Sequence, residues 1–139
     1  MMVSIPKFVQ EFLPGKLAWV ATVSCTGEPN VTPKGSIQAV DENHLLFADL
    51  FNMKTVKNLK ENNKIAITVI DAATAKGYQF KGTAELITQG QVFTDTENFM
   101  KQLSEKVGRQ LPPVRHAVKI TVEAIFDQSM GPDMGKQIA

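Results

Sequence analysis

Lys54 and Thr55 stand at the start of a helix-like stretch, residues 52–62, immediately after a strand-like one, residues 44–50. The first turn of a helix carries backbone N–H groups without intrahelical acceptors and a partial positive charge. A lysine there opposes the helix dipole, and a bound phosphate, with about −1.5 to −2 charges, would reverse that sign. The chemistry these residues offer is therefore capture of a phosphate group. Val56 and Leu59 lie three apart and face inward, while Lys54, Lys57 and Lys60 share another side. The same lysines read equally well as a solvated helix face, and the residues alone leave both readings open.

Other reactive side chains offer less. His44 and His116 lie in strand-like segments far apart in sequence, with no carboxylate–histidine spacing that suggests a metal, and a structural role is expected for both. Cys25 is the only cysteine, so no internal disulfide can form. It sits in a turn with no base beside it, and no nucleophilic role is assigned. Residues 131–136 have the wrong glycine spacing for a phosphate loop, Gln137 replaces the Ser/Thr, and no helix follows. No dinucleotide fingerprint is present, and no side chain stands out as a catalytic acid or base.

The elements that must position Lys54 and Thr55 can be read along the chain. Ser4 is placed as the cap of a short helix with Pro6 in its first turn and Phe8, Val9, Phe12 and Leu13 as its apolar face. Residues 17–24 (LAWVATVS) have the composition of a strand, with Trp19 expected in the core. Residues 30–40 form the return arm of a hairpin, irregular around Pro33-Lys34-Gly35, and residues 44–50 a third strand. Beyond the helix, residues 65–71 (IAITVID) and 78–88 (YQFKGTAELIT) are strands, with Gly82 marking a bulge or a close backbone approach. Thr94-Asp95-Thr96-Glu97 matches a capping box for a helix with a stripe of Phe99, Met100, Leu103 and Val107, ending at Gly108. Residues 114–126 make a last long strand, and residues 127–139 read as a tail with little to bury.

Six strands joined largely by short links suit an antiparallel barrel, closed or nearly so. No strand–helix–strand alternation runs through the chain, which disfavours a doubly wound nucleotide fold. With 139 residues, 43% hydrophobic and 21% charged, one domain over residues 1–139 is expected. A net charge of +1 gives no global attraction to nucleic acid or to an anionic membrane. The N-terminus interrupts its apolar residues with Lys7 and Glu11, unlike a signal peptide, and no apolar run approaches the ~20 residues of a membrane span. A cytoplasmic location follows as an expectation, and the sequon Asn30-Val31-Thr32 is read as chance.

The segments GEPNVTPKGSIQAV, HLLFADLFNMKTVKNLKENNKIAITVID and GYQFKGTAEL resemble the superfamily of pyridoxamine-phosphate-oxidase-like split barrels, and in length the chain is most similar to its small bacterial FMN-binding proteins. The resemblance is strong over residues 17–86 and rests on element order elsewhere. It implies a mainly β fold, a six-stranded antiparallel split barrel with flanking helices, holding FMN. Lys54, Thr55 and Thr32 match positions at the FMN phosphate. Pro33, Lys34, Gly35 and Ser36 match the strand edge beside the isoalloxazine ring. Asp49, Leu50 and Phe51 match the segment under the ring and ribityl chain, chiefly through their backbone.

The resemblance further implies a homodimer with FMN between subunits, since a small barrel filled with side chains has no internal room for a tricyclic ring. Met130, Met134 and Ile138 could close the partner face, though a frayed end is the favoured reading of the tail. The activity implied is that of a flavin-dependent oxidoreductase of unknown substrate, with a small molecule or a redox protein as electron donor. Alternatives are a non-enzymatic FMN electron-transfer protein and, further off, a haem- or deazaflavin-binding relative. The chain is short for a B6-phosphate oxidase and lacks an arginine-rich ending, so that oxidation is not expected.

Overall fold

The computed structural model describes residues 1–51 and 53–139. Asn52, which the sequence puts at the head of the helix, lies outside the described residues. The elements run α1 (Lys7–Phe12), β1 (Ala18–Val23), β2 (Pro29–Lys34), β3 (Gln38–Ala39), β4 (His44–Asp49), α2 (Met53–Glu61), β5 (Lys64–Asp71), β6 (Lys76–Ile87), α3 (Gln91–Val107) and β7 (His116–Asp127).

All seven strands belong to one antiparallel sheet in the order β2-β1-β5-β6-β7-β4-β3. The two edge strands, β2 and β3, are consecutive in the chain and joined by residues 35–37 alone. Four Cα steps from Lys34 to Gln38 span at most roughly 14 Å. The sheet must therefore curl until its edges nearly meet, which makes it a split barrel. Seven strands replace the expected six because the hairpin return arm breaks at Gly35–Ile37. Its first half stays with β1, and its second half crosses the split to pair with β4.

Alternation sorts the side chains. Leu45, Phe47, Ile67, Phe80, Ile120 and Ile125 fill the interior. On β1, Ala18, Val20 and Thr22 point in, so Trp19 points out and is 44% exposed, against the expectation that it packs in the core. Gly82 does mark a close approach: the β6–β7 register shifts at Lys81/Gly82, and a Cβ there would lie 2.2 Å from the Thr121 carbonyl oxygen.

The helices pack against the barrel. Val9 of α1 is buried, as are Ile5 and Leu13 on either side of the helix, and Phe12 packs edge-on against Tyr78 at 5.2 Å. Pro6 occupies the N-cap without a side-chain hydrogen bond, so Ser4 does not serve as cap. Buried Val56 and Leu59 of α2 face inward as expected. Nδ2 of Asn58 donates to Thr22 Oγ1 at 3.0 Å in a buried contact that anchors the helix to β1.

Helix α3 starts at Gln91, three residues before the expected capping box, and has no side-chain cap. Thr96 is buried inside the helix, its hydroxyl donating back to the Val92 carbonyl at 2.7 Å. The left-handed Gly108 ends it as the sequence indicates. The C-terminal segment is not frayed. It folds back on β7, with Ile138 N–H donating to Ile125 O at 2.8 Å, Ile125 N–H to Ala139 O at 3.0 Å, and Ile138 resting on the core. Met130 and Met134 stay exposed.

Candidate functional site

Strand β2 turns Asn30, Thr32 and Lys34 toward the interior side and Val31 and Pro33 toward solvent. The first turn of α2 abuts the former set. The Thr55 hydroxyl is buried, and Asn30 Nδ2 reaches it at 3.4 Å. Asn30, Val31, Thr32, Phe51, Met53, Lys54 and Thr55 line one cavity of about 310 Å³. The sequence-predicted phosphate residues Thr32, Lys54 and Thr55 are thus brought together, with an exposed Phe51 as one wall. The cavity presents an ammonium, two hydroxyls and a carboxamide beside the N-terminal end of a nine-residue helix.

The residues expected beside the ring divide by side chain. Pro33 and Gly35 are exposed. Lys34 and Ser36 are buried in the split between β2 and β4. Lys34 Nζ donates to the Ala48 carbonyl at 3.2 Å and lies 5.4 Å from the centre of the Phe47 ring. The Ala48 N–H donates to Ser36 Oγ at 3.1 Å. These two side chains close the barrel seam, which leaves the segment's backbone and Pro33 facing outward. Burial holds the Lys34 ammonium below the ordinary lysine range, with the nearby Asp49 carboxylate opposing the shift.

Asp49 ends β4 directly opposite His116, the first residue of β7. The register brings His116 Nδ1 to 2.7 Å from Asp49 Oδ2, with both side chains largely withdrawn from solvent. Arg115 donates its backbone N–H to Asp49 O at 2.8 Å and holds its guanidinium 5.2 Å from the centre of the Phe51 ring. A second cavity of about 310 Å³ opens here, lined by Asp49, Phe51, Met53, Val56, Lys57, Lys60, Arg115 and His116. Leu50, half-buried, follows Asp49 in the chain.

Three residues of this region have no site role in the sequence reading, which expects a structural role for His116. Asn30 enters that reading as part of a sequon and of the hairpin return arm, and the alternation Asn30-x-Thr32-x-Lys34 puts all three on one face. Arg115 and His116 join the site only through the β4–β7 register, which no local pattern reveals. His44, by contrast, has the structural role expected, bonded to Asp41 across a turn at 2.8 Å. Cys25 is exposed, and Glu61 beside it raises its thiol pKa, which suits no nucleophile. Among the described residues no group of His, Cys, Asp and Glu side chains could hold a metal ion, and no helix is long and apolar enough to cross a membrane.

The pyridoxamine 5'-phosphate oxidase model matches residues 5–129. The chain belongs to that family. An uncharacterized protein of Methanocaldococcus jannaschii is 34% identical, over 98% of this chain and 91% of the relative. The crystal structure of HupZ from Group A Streptococcus superposes with a TM-score of 0.77 at 29% identity, covering 94% of this chain and 99% of that one. An FMN-binding protein from Syntrophomonas wolfei has the same fold, with a TM-score of 0.72 at 15% identity over 91% and 92% of the two chains. Proteins of this fold differ in what they bind. They also include an F420 reductase (TM-score 0.67, 20% identity, 87% and 98% covered) and the heme storage protein HutZ from Vibrio cholerae (0.62, 19%, 91% and 97%).

Proposed function

We propose that this chain is an FMN-binding flavoprotein acting as a flavin-dependent oxidoreductase. The observation that carries the reading is the convergence of Thr32, Lys54 and Thr55 on one cavity at the start of α2. That donor set fits a dianionic phosphate monoester, with the Lys54 ammonium supplying charge, the hydroxyls and Asn30 supplying directed hydrogen bonds, and the helix end supplying its dipole. Phe51, Pro33 and the outward backbone of residues 34–36 are the surfaces on which a planar ring would lie. FMN, when bound, supplies a hydride acceptor that no side chain of this protein can provide. The protein's part is to grip the phosphate, orient the ring along the β2 edge and exclude water from one of its faces.

The ring's other face calls for a second copy of the chain. On the outer face of β1 and β2, Trp19 lies opposite Pro33 and Ala21 opposite Val31, with Trp19 and Val31 44% and 60% exposed. An apolar sheet face of this kind beside the cofactor cavity supports a homodimer with FMN between subunits. The pair of buried Asp49 and half-buried His116, in a cavity sharing Phe51 and Met53 with the phosphate cavity, favours an enzyme over a pure electron carrier, because it offers a positioned proton-transfer group.

The first experiment is the absorption spectrum of the purified protein with identification of the extracted cofactor. A flavin spectrum with FMN released on denaturation is expected. A haem spectrum, or a deazaflavin in the extract, would overturn the reading. Sedimentation should find a dimer that Val31→Asp dissociates and whose FMN is then lost. A monomer retaining tight FMN would contradict the interface.

A further inference from the structure

The cavity between α2 and the β4–β7 end is chemically unlike the phosphate cavity next to it. Lys57, Lys60 and Arg115 contribute cationic groups, and Asp49 is the single carboxylate in the lining. That carboxylate is already bonded to His116 at 2.7 Å. Among the described residues Lys57, Lys60 and Arg115 make no ion pair. Three cations facing a common space of about 310 Å³ repel one another, and a guest anion relieves that repulsion.

The other walls are apolar. Phe51 and Met53 are 63% and 77% exposed, and Val56 is the buried floor. Arg115 Cζ lies 5.2 Å from the centre of the Phe51 ring, and a guanidinium can make a paired contact with two oxygens. The cavity therefore offers a forked donor and two ammonium groups at one side and an aromatic and thioether surface at the other.

We propose that this cavity is a second anion site, separate from the Lys54–Thr55 turn, which takes a small molecule bearing a carboxylate or phosphate on an apolar body. Arg115 grips the anionic head, Lys60 and Lys57 neutralise it, and Phe51 and Met53 cover the apolar part. Lys57 also borders the groove that holds Lys54, so Arg115 and Lys60 are the residues that distinguish the two sites. The site shares Phe51 and Met53 with the phosphate cavity, while Lys60, Arg115 and His116 line this cavity and not that one.

Phenyl phosphate, benzoate and neutral benzyl alcohol are the probes, titrated into the protein as purified and followed by ¹H–¹⁵N chemical shifts. The two anions should bind saturably and shift the amides of Phe51, Met53, Lys60 and Arg115, and benzyl alcohol should not. Arg115→Ala should weaken phenyl phosphate roughly ten- to hundredfold, as loss of a charge-assisted hydrogen bond does. Lys60→Ala should weaken it less. Lys54→Ala should leave it within about twofold. Benzoate and phenyl phosphate compared at one concentration distinguish a carboxylate site from a phosphate one. Unchanged affinity in both Arg115→Ala and Lys60→Ala would overturn the proposal. So would shifts confined to Lys54 and Thr55.

Discussion

Strands β6 and β7 are joined by a backbone ladder running from Tyr78↔Asp127 to Ile87↔Ala117, whereas β2 and β4 are bridged by side chains, Lys34 to the Ala48 carbonyl and Ala48 N–H to Ser36. The first seam needs nothing from side-chain chemistry, so hydrophobic residues pack its inner face and Gly82 permits the close approach. The second leaves a split that polar side chains must bridge. Buried Lys34, Ser36 and Asp49 gather there, together with half-buried His116. Both candidate cavities border this end of the split. A barrel closed everywhere by its backbone would be more uniform, and would have no place for a ligand's polar groups to meet the protein's.

The contrast can be broken at either seam, and the backbone seam should be the more sensitive. Gly82→Ala puts a Cβ 2.2 Å from Thr121 O and 2.9 Å from Ile120 Cγ2. Neither backbone can retreat without opening the ladder, so a loss of about 3 kcal/mol is expected, read by urea unfolding. At the ligand end, Lys54→Ala should leave stability unchanged and weaken FMN by about 1.5–3 kcal/mol, measured by flavin titration. Ser36→Ala leaves the buried Ala48 N–H without its acceptor and should cost about 1–2 kcal/mol of stability.

The smallest effect at neutral pH belongs to Lys34→Met, which exchanges a poorly solvated ammonium and one hydrogen bond for a methyl thioether of similar shape. Its signature lies in pH dependence. Burial lowers the pKa of Lys34 below the 10.5 of a free lysine, so between the lowered value and about 10.5 the unfolded chain holds the extra proton. Stability conferred through this group therefore rises with pH across that window. Unfolding curves from pH 7 to about 10.5 should show the rise in the natural protein and a flatter profile in Lys34→Met.

Much of the barrel was legible because its signals are local. Residues 65–71 alternate and become β5, and Val56 and Leu59 face inward from α2. The break of the hairpin arm into β2 and β3 was visible as irregularity at Pro33-Lys34-Gly35, though not as a crossing of the split. Trp19 was misplaced because composition suggests burial for any tryptophan, while the alternation of Ala18, Val20 and Thr22 decides its direction. The misplaced start of α3 has a similar cause: the pattern Thr94 to Glu97 suits a cap, yet Gly90 ends the strand connection earlier. That Lys54, Thr55 and Thr32 lie together was legible through a resemblance, and Asn30 lines the same cavity. Arg115 and His116 were hidden because only long-range strand register joins them to Asp49. The C-terminal fold-back was hidden for the same reason, since its hydrogen bonds go to Ile125 and Asp127.

The central claim is that the start of α2 holds the phosphate of FMN. Titration of flavin-free protein with FMN and with riboflavin, in parallel with Lys54→Ala, tests it most directly. The account predicts that FMN binds at least tenfold tighter than riboflavin and that Lys54→Ala erases most of that preference while leaving riboflavin binding as it was. Equal affinity for the two flavins in the natural protein, or an FMN preference untouched by Lys54→Ala, would contradict it.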